Sequence, residues 1–76
     1  MYNSITAKKI NKGDIFYEIE YGQKIKCEAI TQPVKTDDQW KWKGKDLESG
    51  AVIDYLQTEG FEHYGPKLYE ALASDI

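Results

Sequence analysis

An alternation of apolar and charged residues between Gly13 and Gly22 limits what this chain can fold into more than any other feature of its sequence. Because successive side chains of a β-strand point to opposite faces, the alternation predicts a half-buried antiparallel strand over residues 14–21. One face holds Ile15, Tyr17, Ile19 and Tyr21, and the other holds Phe16, Glu18 and Glu20. We expect the first face to contact the core and the second to lie in solvent.

Four other runs have the composition of short strands, at residues 4–10, 24–34, 39–43 and 51–57. Between the first two strong strands, Tyr21 and Gly22 predict a tight hairpin turn, since glycine accepts a left-handed backbone. The alternation after this turn predicts an inward face made of Ile25, Cys27 and Ala29. In the run at 51–57, one face is predicted to hold Ala51, Ile53 and Tyr55, and the other Val52, Asp54 and Leu56.

Five short strands joined by tight turns predict a single, mainly β domain over residues 1–76. We expect a small SH3-like barrel or a strongly bent five-stranded antiparallel sheet with a short C-terminal helix. An open sheet with one packed helix is the alternative. The helix is predicted from Pro66, which suits a first helical position, to about Ala73, because Leu68, Tyr69 and Leu72 have helical spacing.

The first candidate binding site is the strand at 39–43, where alternation places Trp40 and Trp42 on one face and Lys41 and Lys43 on the other. Two neighbouring indoles offer flat rings on which a base, a nucleotide or a proline-rich peptide stacks. The alternative is that at least one indole fills the core of a domain with few large aliphatic residues. The two lysines suit phosphate or an acidic partner, although solvated lysines on a strand face are the commoner case.

The second candidate site is the aromatic segment at residues 61–66, followed by Lys67 and Tyr69. His63 carries an imidazole, and Tyr64 and Tyr69 carry phenolic hydroxyls, so these side chains suit a small ligand or the edge of a protein partner. The alternative is structural, because aromatic residues next to Gly65 and Pro66 often fix a chain reversal by packing.

Composition excludes several classes of function. Cys27 is the only cysteine and His63 the only histidine, so we expect no disulfide, no metal site and no cofactor. The chain has no arginine and a net charge of −3, which disfavours the reading of duplex DNA. No glycine-rich phosphate loop or nucleophile motif is present, so we expect no enzyme. The absence of a long apolar run or a signal-like N-terminus predicts a cytoplasmic protein with no membrane partner.

Three segments resemble small uncharacterised proteins of tailed bacteriophages, namely residues 47–55 (LESGAVIDY), 58–60 (TEG) and 64–69 (YGPKLY). A lysine-rich, arginine-free composition and a compact size suit the same resemblance. The resemblance implies a host-takeover or anti-defence factor that covers a surface of a host protein or sequesters a small signalling nucleotide. The resemblance carries over no functional residue.

Together these features favour a non-enzymatic binding module, in the form of a phage-type inhibitor that occupies a surface of a host defence or regulatory protein. The first alternative is a binder or sequesterer of a nucleotide or single-stranded nucleic acid, with stacking on the indoles and phosphate contacts from Lys41, Lys43 or Lys45. The second alternative is a small structural component of an assembly. A homodimer is also compatible with the sequence, because it would add core to a domain of this size.

Overall fold

The structure is a computed structural model that describes residues 3–71, and these form one antiparallel sheet curled into a half-barrel. The mainly β class is therefore confirmed. The strands are β1 (Ile15–Glu20), β2 (Gln23–Ala29), β3 (Val34–Thr36), β4 (Gln39–Asp46), β5 (Val52–Thr58) and β6 (Lys67–Glu70). Two short 3-10 helices, Ala7–Lys9 and Glu62–Tyr64, complete the described elements. Neither has the length or the apolar character of a helix that crosses a membrane.

β4 organises the sheet because it pairs with three other strands. Its whole length pairs with β5 along one edge, while its other edge pairs first with β3 and then with β2. From β2 the sheet continues through β1 to β6, and residues 3–5 run along the outer edge of β6. Two backbone hydrogen bonds hold that segment, from Ile5 N–H to the Leu68 carbonyl at 3.1 Å and from Glu70 N–H to the Asn3 carbonyl at 2.9 Å.

The predicted hairpin at Tyr21 and Gly22 is confirmed. Glu20 pairs with Gln23, so only these two residues form the turn, and their φ angles of 50° and 76° are both positive. Two positive φ values are typical of a type I′ turn, whose twist matches that of the flanking strands. Another two-residue turn, Asp37 and Asp38, joins β3 to β4, and there only Asp37 has a positive φ, of 57°.

The core lies on the concave face of the sheet, where three aromatic rings meet. Trp42 stacks on Tyr55 with ring centroids 5.2 Å apart, and Phe16 meets both rings edge-on. Gly44 gives these rings room, since a Cβ there would lie 2.7 Å from Tyr55 Cε2. Around the rings pack the smaller buried residues Ala7, Ile10, Cys27, Ala29 and Leu68.

The predicted faces of β2, β4 and β5 agree with the structure, but the predicted face of β1 is wrong. Phe16 is fully buried in the core and shares its face with Glu18, which is half-buried. Tyr17 lies on the convex face, where it is covered by Tyr69 of β6 and by the Lys24 ammonium 4.7 Å above its ring. Tyr21 is 96% exposed in the turn. The alternation was ambiguous because both faces of β1 are covered by other residues.

The two ends of the chain also differ from the prediction. Residues 4–10 form one bridge at Ser4 and a 3-10 helix instead of a strand. The predicted C-terminal helix from Pro66 is wrong, because residues 67–70 form β6, which pairs with β1. Residues 72 and 73 of that prediction lie outside the described residues. The sheet thus has six strands, with β3 and β6 added to the predicted set and the strand at 4–10 lost.

Candidate functional site

The convex face of β3, β4 and β5 carries a row of three side chains that the sheet holds side by side. Lys41 of β4 is the register partner of Val34 on β3 and of Leu56 on β5. Because paired residues point to the same face, the lysine stem lies between the two aliphatic side chains. Val34 is 60% exposed and Leu56 43% exposed. An apolar surface with a cation at its centre is therefore open to solvent.

This row forms one wall of a mainly apolar groove of about 470 Å³, which we call the outer groove and define by Val34, Lys41, Lys43, Asp54 and Leu56. At its far side the Lys43 ammonium lies 3.8 Å from the Asp54 carboxylate. The Lys43 N–H donates to the Thr31 hydroxyl at 2.8 Å, which ties the chain before β3 to β4. The groove is thus built on paired strands, and its shape is fixed before a partner arrives.

The convex face carries an excess of positive charge, unlike the chain as a whole. Strand register places on it six lysines against Glu28 and Asp54, although the whole chain has a net charge of −3. Those lysines are Lys24, Lys26, Lys41, Lys43, Lys45 and Lys67. Within residues 3–71 the Lys41 ammonium forms no ion pair, whereas Lys43 has Asp54. The convex face is suited to acidic groups on a partner.

The structure separates the two indoles of the first predicted site from its two lysines. Trp42 is buried in the core with 3% of its surface exposed, and it reaches the outer groove only at the floor. Its indole N–H has no hydrogen-bond partner among the described residues. Trp40 is half-buried and packs against the same core. Of the two alternatives left open by the sequence, the structure favours the core role for Trp42.

The second predicted site becomes a small aromatic corner formed by Phe61, His63 and Tyr64. Phe61 and Tyr64 are 57% and 79% exposed, with ring centroids 6.3 Å apart, and His63 lies 4.0 Å from Tyr64. The Glu62 carboxylate accepts the Gly60 N–H at 2.9 Å, and this bond holds the pKa of that carboxyl below its usual value. The aromatic corner is therefore held in place by a hydrogen bond within its own turn.

Tyr69 lies away from Tyr64, on the convex face of β6 beside Tyr17. It lines a cavity of about 330 Å³ together with His63, between the 3-10 helix and β6. Tyr64 instead lines a separate opening beside β5. The structure thus brings His63 and Tyr69 to one cavity and leaves Tyr64 at another.

A polar cluster that the sequence did not indicate lies on the concave face. The Tyr55 hydroxyl donates to Glu18 Oε1 at 2.9 Å, and the Cys27 Sγ lies 3.3 Å from the same hydroxyl oxygen. Burial raises the pKa of the Glu18 carboxyl, of the Cys27 thiol and of the Tyr55 phenol. A buried thiol with a raised pKa stays protonated and is a poor nucleophile, and the two contacts of the Tyr55 hydroxyl hold that ring in the core. The sequence placed Glu18 on the same face as Phe16 but assigned that face to solvent, so it did not indicate this cluster.

Metal binding receives no support from this arrangement. Among residues 3–71, no three histidine, cysteine, aspartate or glutamate side chains are grouped so that they could hold an ion.

The fold and the outer groove define a small all-β protein with a curled antiparallel sheet and a preformed surface groove. No protein-family model, curated protein or solved structure matches the chain.

Proposed function

We propose that this chain is a non-enzymatic binding module that covers a surface of a partner protein with its outer groove. The observation that carries the proposal is the row of Val34, Lys41 and Leu56, in which two exposed aliphatic side chains flank a lysine without an ion pair among the described residues. Apolar anchors with a charged neighbour on a rigid surface are typical of interface hot spots.

The geometry also defines the chemistry of the partner surface. An aliphatic or aromatic side chain of the partner fits between Val34 and Leu56, and a neighbouring carboxylate of the partner meets Lys41. The pairing of Lys43 with Asp54 leaves Lys41 as the cation available to it. Because paired strands hold the backbone of all three residues, little backbone entropy is lost when the contact forms.

The particular form that we propose is a phage-type inhibitor of a host defence or regulatory protein, acting in the host cytoplasm. The likeness of residues 47–55, 58–60 and 64–69 to small phage proteins supports this form. The curled sheet of short strands supports an SH3-like barrel as the finer description of the fold.

A nucleotide or single-stranded nucleic acid is the second candidate ligand, and the lysines of the convex face favour it. Stacking argues against it on this face, because the Trp42 ring is buried on the opposite side of β4. A steep loss of affinity with added salt would distinguish it from the protein partner. A structural role in an assembly is the third candidate, and persistent self-association would be its sign.

The test combines capture and titration. The tagged protein is used to isolate partners from bacterial lysate, captured proteins are identified by mass spectrometry, and the denatured eluate is screened for nucleotides. The isolated partner is then titrated by calorimetry against Leu56→Ser and the matched control Leu47→Ser, whose wild-type side chains are 43% and 42% exposed. We expect Leu56→Ser to weaken binding about tenfold or more, or roughly 1.4 kcal/mol, and Leu47→Ser to leave it within about twofold.

Three outcomes would contradict the proposal. Equal binding by the two serine variants would place the interface outside the outer groove. A nucleotide in the eluate without a protein would favour sequestration. A clean homo-oligomer with no captured protein would favour the structural role.

A further inference from the structure

β5 is an edge strand whose outer backbone is unpaired among the described residues. The hydrogen bonds at its two ends, from Asp46 N–H to the Ala51 carbonyl at 2.9 Å and from Glu59 N–H to the Asp38 carbonyl at 2.7 Å, show which residues bond to β4. In an antiparallel pair, every second residue directs its N–H and C=O to the neighbouring strand. Residues 53, 55 and 57 therefore bond to β4, and Val52, Asp54 and Leu56 direct their backbone groups outward.

This edge borders the gap in the half-barrel. β5 pairs only with β4, and no strand of the described chain joins it to β1 or β6. Between β5 and β1 lies an opening of about 440 Å³, which we call the seam and define by Glu18, Glu20, Asp54 and Tyr55, with Tyr64 at one end. The hydrogen bond between Tyr55 and Glu18 crosses the gap below the seam. The seam is thus a slot with an unpaired strand edge on one side.

The carboxylates that line the seam determine which kind of ligand it favours. Neither Glu18 nor Glu20 forms an ion pair within residues 3–71. Asp54 adds a third carboxylate, which is 83% exposed and forms a loose surface pair with Lys43 at 3.8 Å. Burial already disfavours the ionised form of Glu18, whose pKa is raised. A cation that enters the seam relieves both the repulsion and the cost of that buried charge.

We propose that the outer edge of β5 accepts an extended, lysine- or arginine-bearing segment of a partner polypeptide, which adds to the sheet as a further strand. Main-chain bonds to Val52, to Asp54 and to the N–H of Leu56 supply affinity, and the carboxylates of the seam select basic side chains. The Leu56 carbonyl is left out of this pairing because Gly65 lies against it, where a Cβ would be 3.6 Å from the carbonyl oxygen. A second copy of this chain is a poorer occupant. Symmetric pairing of two β5 edges that uses all three residues sets Asp54 opposite Asp54, and like charges directly opposite are destabilising. This edge shares Asp54 and Leu56 with the outer groove, but it binds through main-chain groups and the carboxylates of the seam, so the inference goes beyond the proposed function.

The probe is a synthetic peptide of about eight residues that alternates threonine and lysine, a length typical of a strand. A threonine–glutamate peptide is the matched acidic control. Each is titrated into the isotope-labelled full chain at low ionic strength, where exposed charges are least screened. We expect the basic peptide alone to shift the amide signals of residues 52, 54 and 56 and to slow their hydrogen exchange.

Two pairs of variants separate the contribution of main-chain hydrogen bonds to peptide binding from the contribution of side-chain charge. Asp54→Pro removes an outward N–H, which an edge strand tolerates, whereas Asp54→Asn keeps that N–H and removes only the charge. We expect the proline variant to bind the basic peptide at least about tenfold more weakly than the asparagine variant, or roughly 1.4 kcal/mol. Glu20→Lys should also weaken binding, while Glu48→Lys, a matched change in the exposed loop after β4, should not.

Several results would overturn the inference. Equal binding of both peptides, or signal shifts confined to the outer groove, would show that the seam selects nothing. Equal binding by Asp54→Pro and Asp54→Asn, with both variants folded by their thermal unfolding, would show that no strand is added. A dimer that dissociates in Asp54→Pro would identify a second copy as the occupant. Loss of peptide binding in Leu56→Ser together with unchanged binding in Glu20→Lys would show that the peptide occupies the outer groove and not the seam.

Discussion

The two faces of β4 use alternate residues of one strand for different purposes. On the concave face, Trp42 and Gly44 pack against the aromatic core, where almost no surface is exposed. On the convex face, Lys41 and Lys43 lie in solvent within the outer groove. The comparison shows that strand period alone divides this small chain into a stabilising side and a binding side. Substitutions on the two faces should therefore separate stability from binding.

The largest effect on stability should come from Trp42→Ala. This ring contacts both Phe16 and Tyr55, and truncation of a buried tryptophan costs about 3–5 kcal/mol. That loss is a large part of the stability of a small domain. Trp40→Ala is the control, because Trp40 is only half-buried, and it should cost clearly less in the free energy of unfolding measured with urea. Equal losses would mean that the two indoles share the core equally.

The next effect is expected from Gly44→Ala. The new Cβ would lie 2.7 Å from Tyr55 Cε2 and 3.1 Å from Phe16 Cζ. Tyr55 cannot move freely, since it stacks on Trp42 and donates to Glu18, so the overpacking should cost about 1–3 kcal/mol. Gly65→Ala is the matched control, because its Cβ would meet its nearest atoms at an ordinary 3.6 Å. Similar unfolding temperatures for both variants would argue against close packing at Gly44.

Alternation predicted β2, β4 and β5, and Gly22 predicted the turn before β2. Each of these sequence patterns has a single interpretation. The same rule failed for β1, where Phe16 sits among charged residues and Tyr17 is covered on the convex face. Burial on both faces removes the contrast on which the rule depends. Residues 67–70 became a strand because β1 and residues 3–5 pair with them on either side. Such contacts between distant segments override helical spacing, and one sequence does not reveal them.

The outer groove was only half predictable for the same reason. Lys41 and Lys43 followed from alternation, but Val34 and Leu56 joined them through the pairing of β3 and β5 with β4. β3 has only three residues beside Pro33, which is too short for a periodic signal. The Tyr55 to Glu18 bond likewise joins residues 37 positions apart.

The polar cluster of the concave face should have a smaller effect on stability, and that effect should depend on pH. Burial raises the folded-state pKa of Glu18 above its usual value of 4.5, so above that pH the unfolded state binds fewer protons than the folded state. Its contribution to stability is thus full below about pH 4.5 and is lost as the pH rises through the folded-state pKa. Glu18→Gln, whose amide oxygen still accepts from Tyr55, should lack this loss.

The measurement is the difference in unfolding free energy between wild type and Glu18→Gln across that pH range. Asp46 and Glu62 have lowered pKa values caused by backbone hydrogen bonds, and they act with the opposite sign, but both proteins share them. The difference should move in favour of the glutamine variant as the pH rises. A difference that does not change with pH would mean that Glu18 is solvated in the folded state.

The smallest effect on stability, and the sharpest contrast with Trp42, should come from Lys41→Glu. Lys41 is exposed and has no ion pair within the described residues, so its replacement should change the free energy of unfolding by less than about 0.5 kcal/mol. Binding to an acidic partner should nevertheless fall, because the groove would then present a carboxylate between Val34 and Leu56. Lys8→Glu makes the same charge change on the exposed 3-10 helix and should spare binding. If both variants lose affinity equally, net charge governs association and the outer groove does not select its partner. If only Lys41→Glu loses it, β4 carries stability on its even-numbered residues and recognition on its odd-numbered residues, and the two properties can be changed independently.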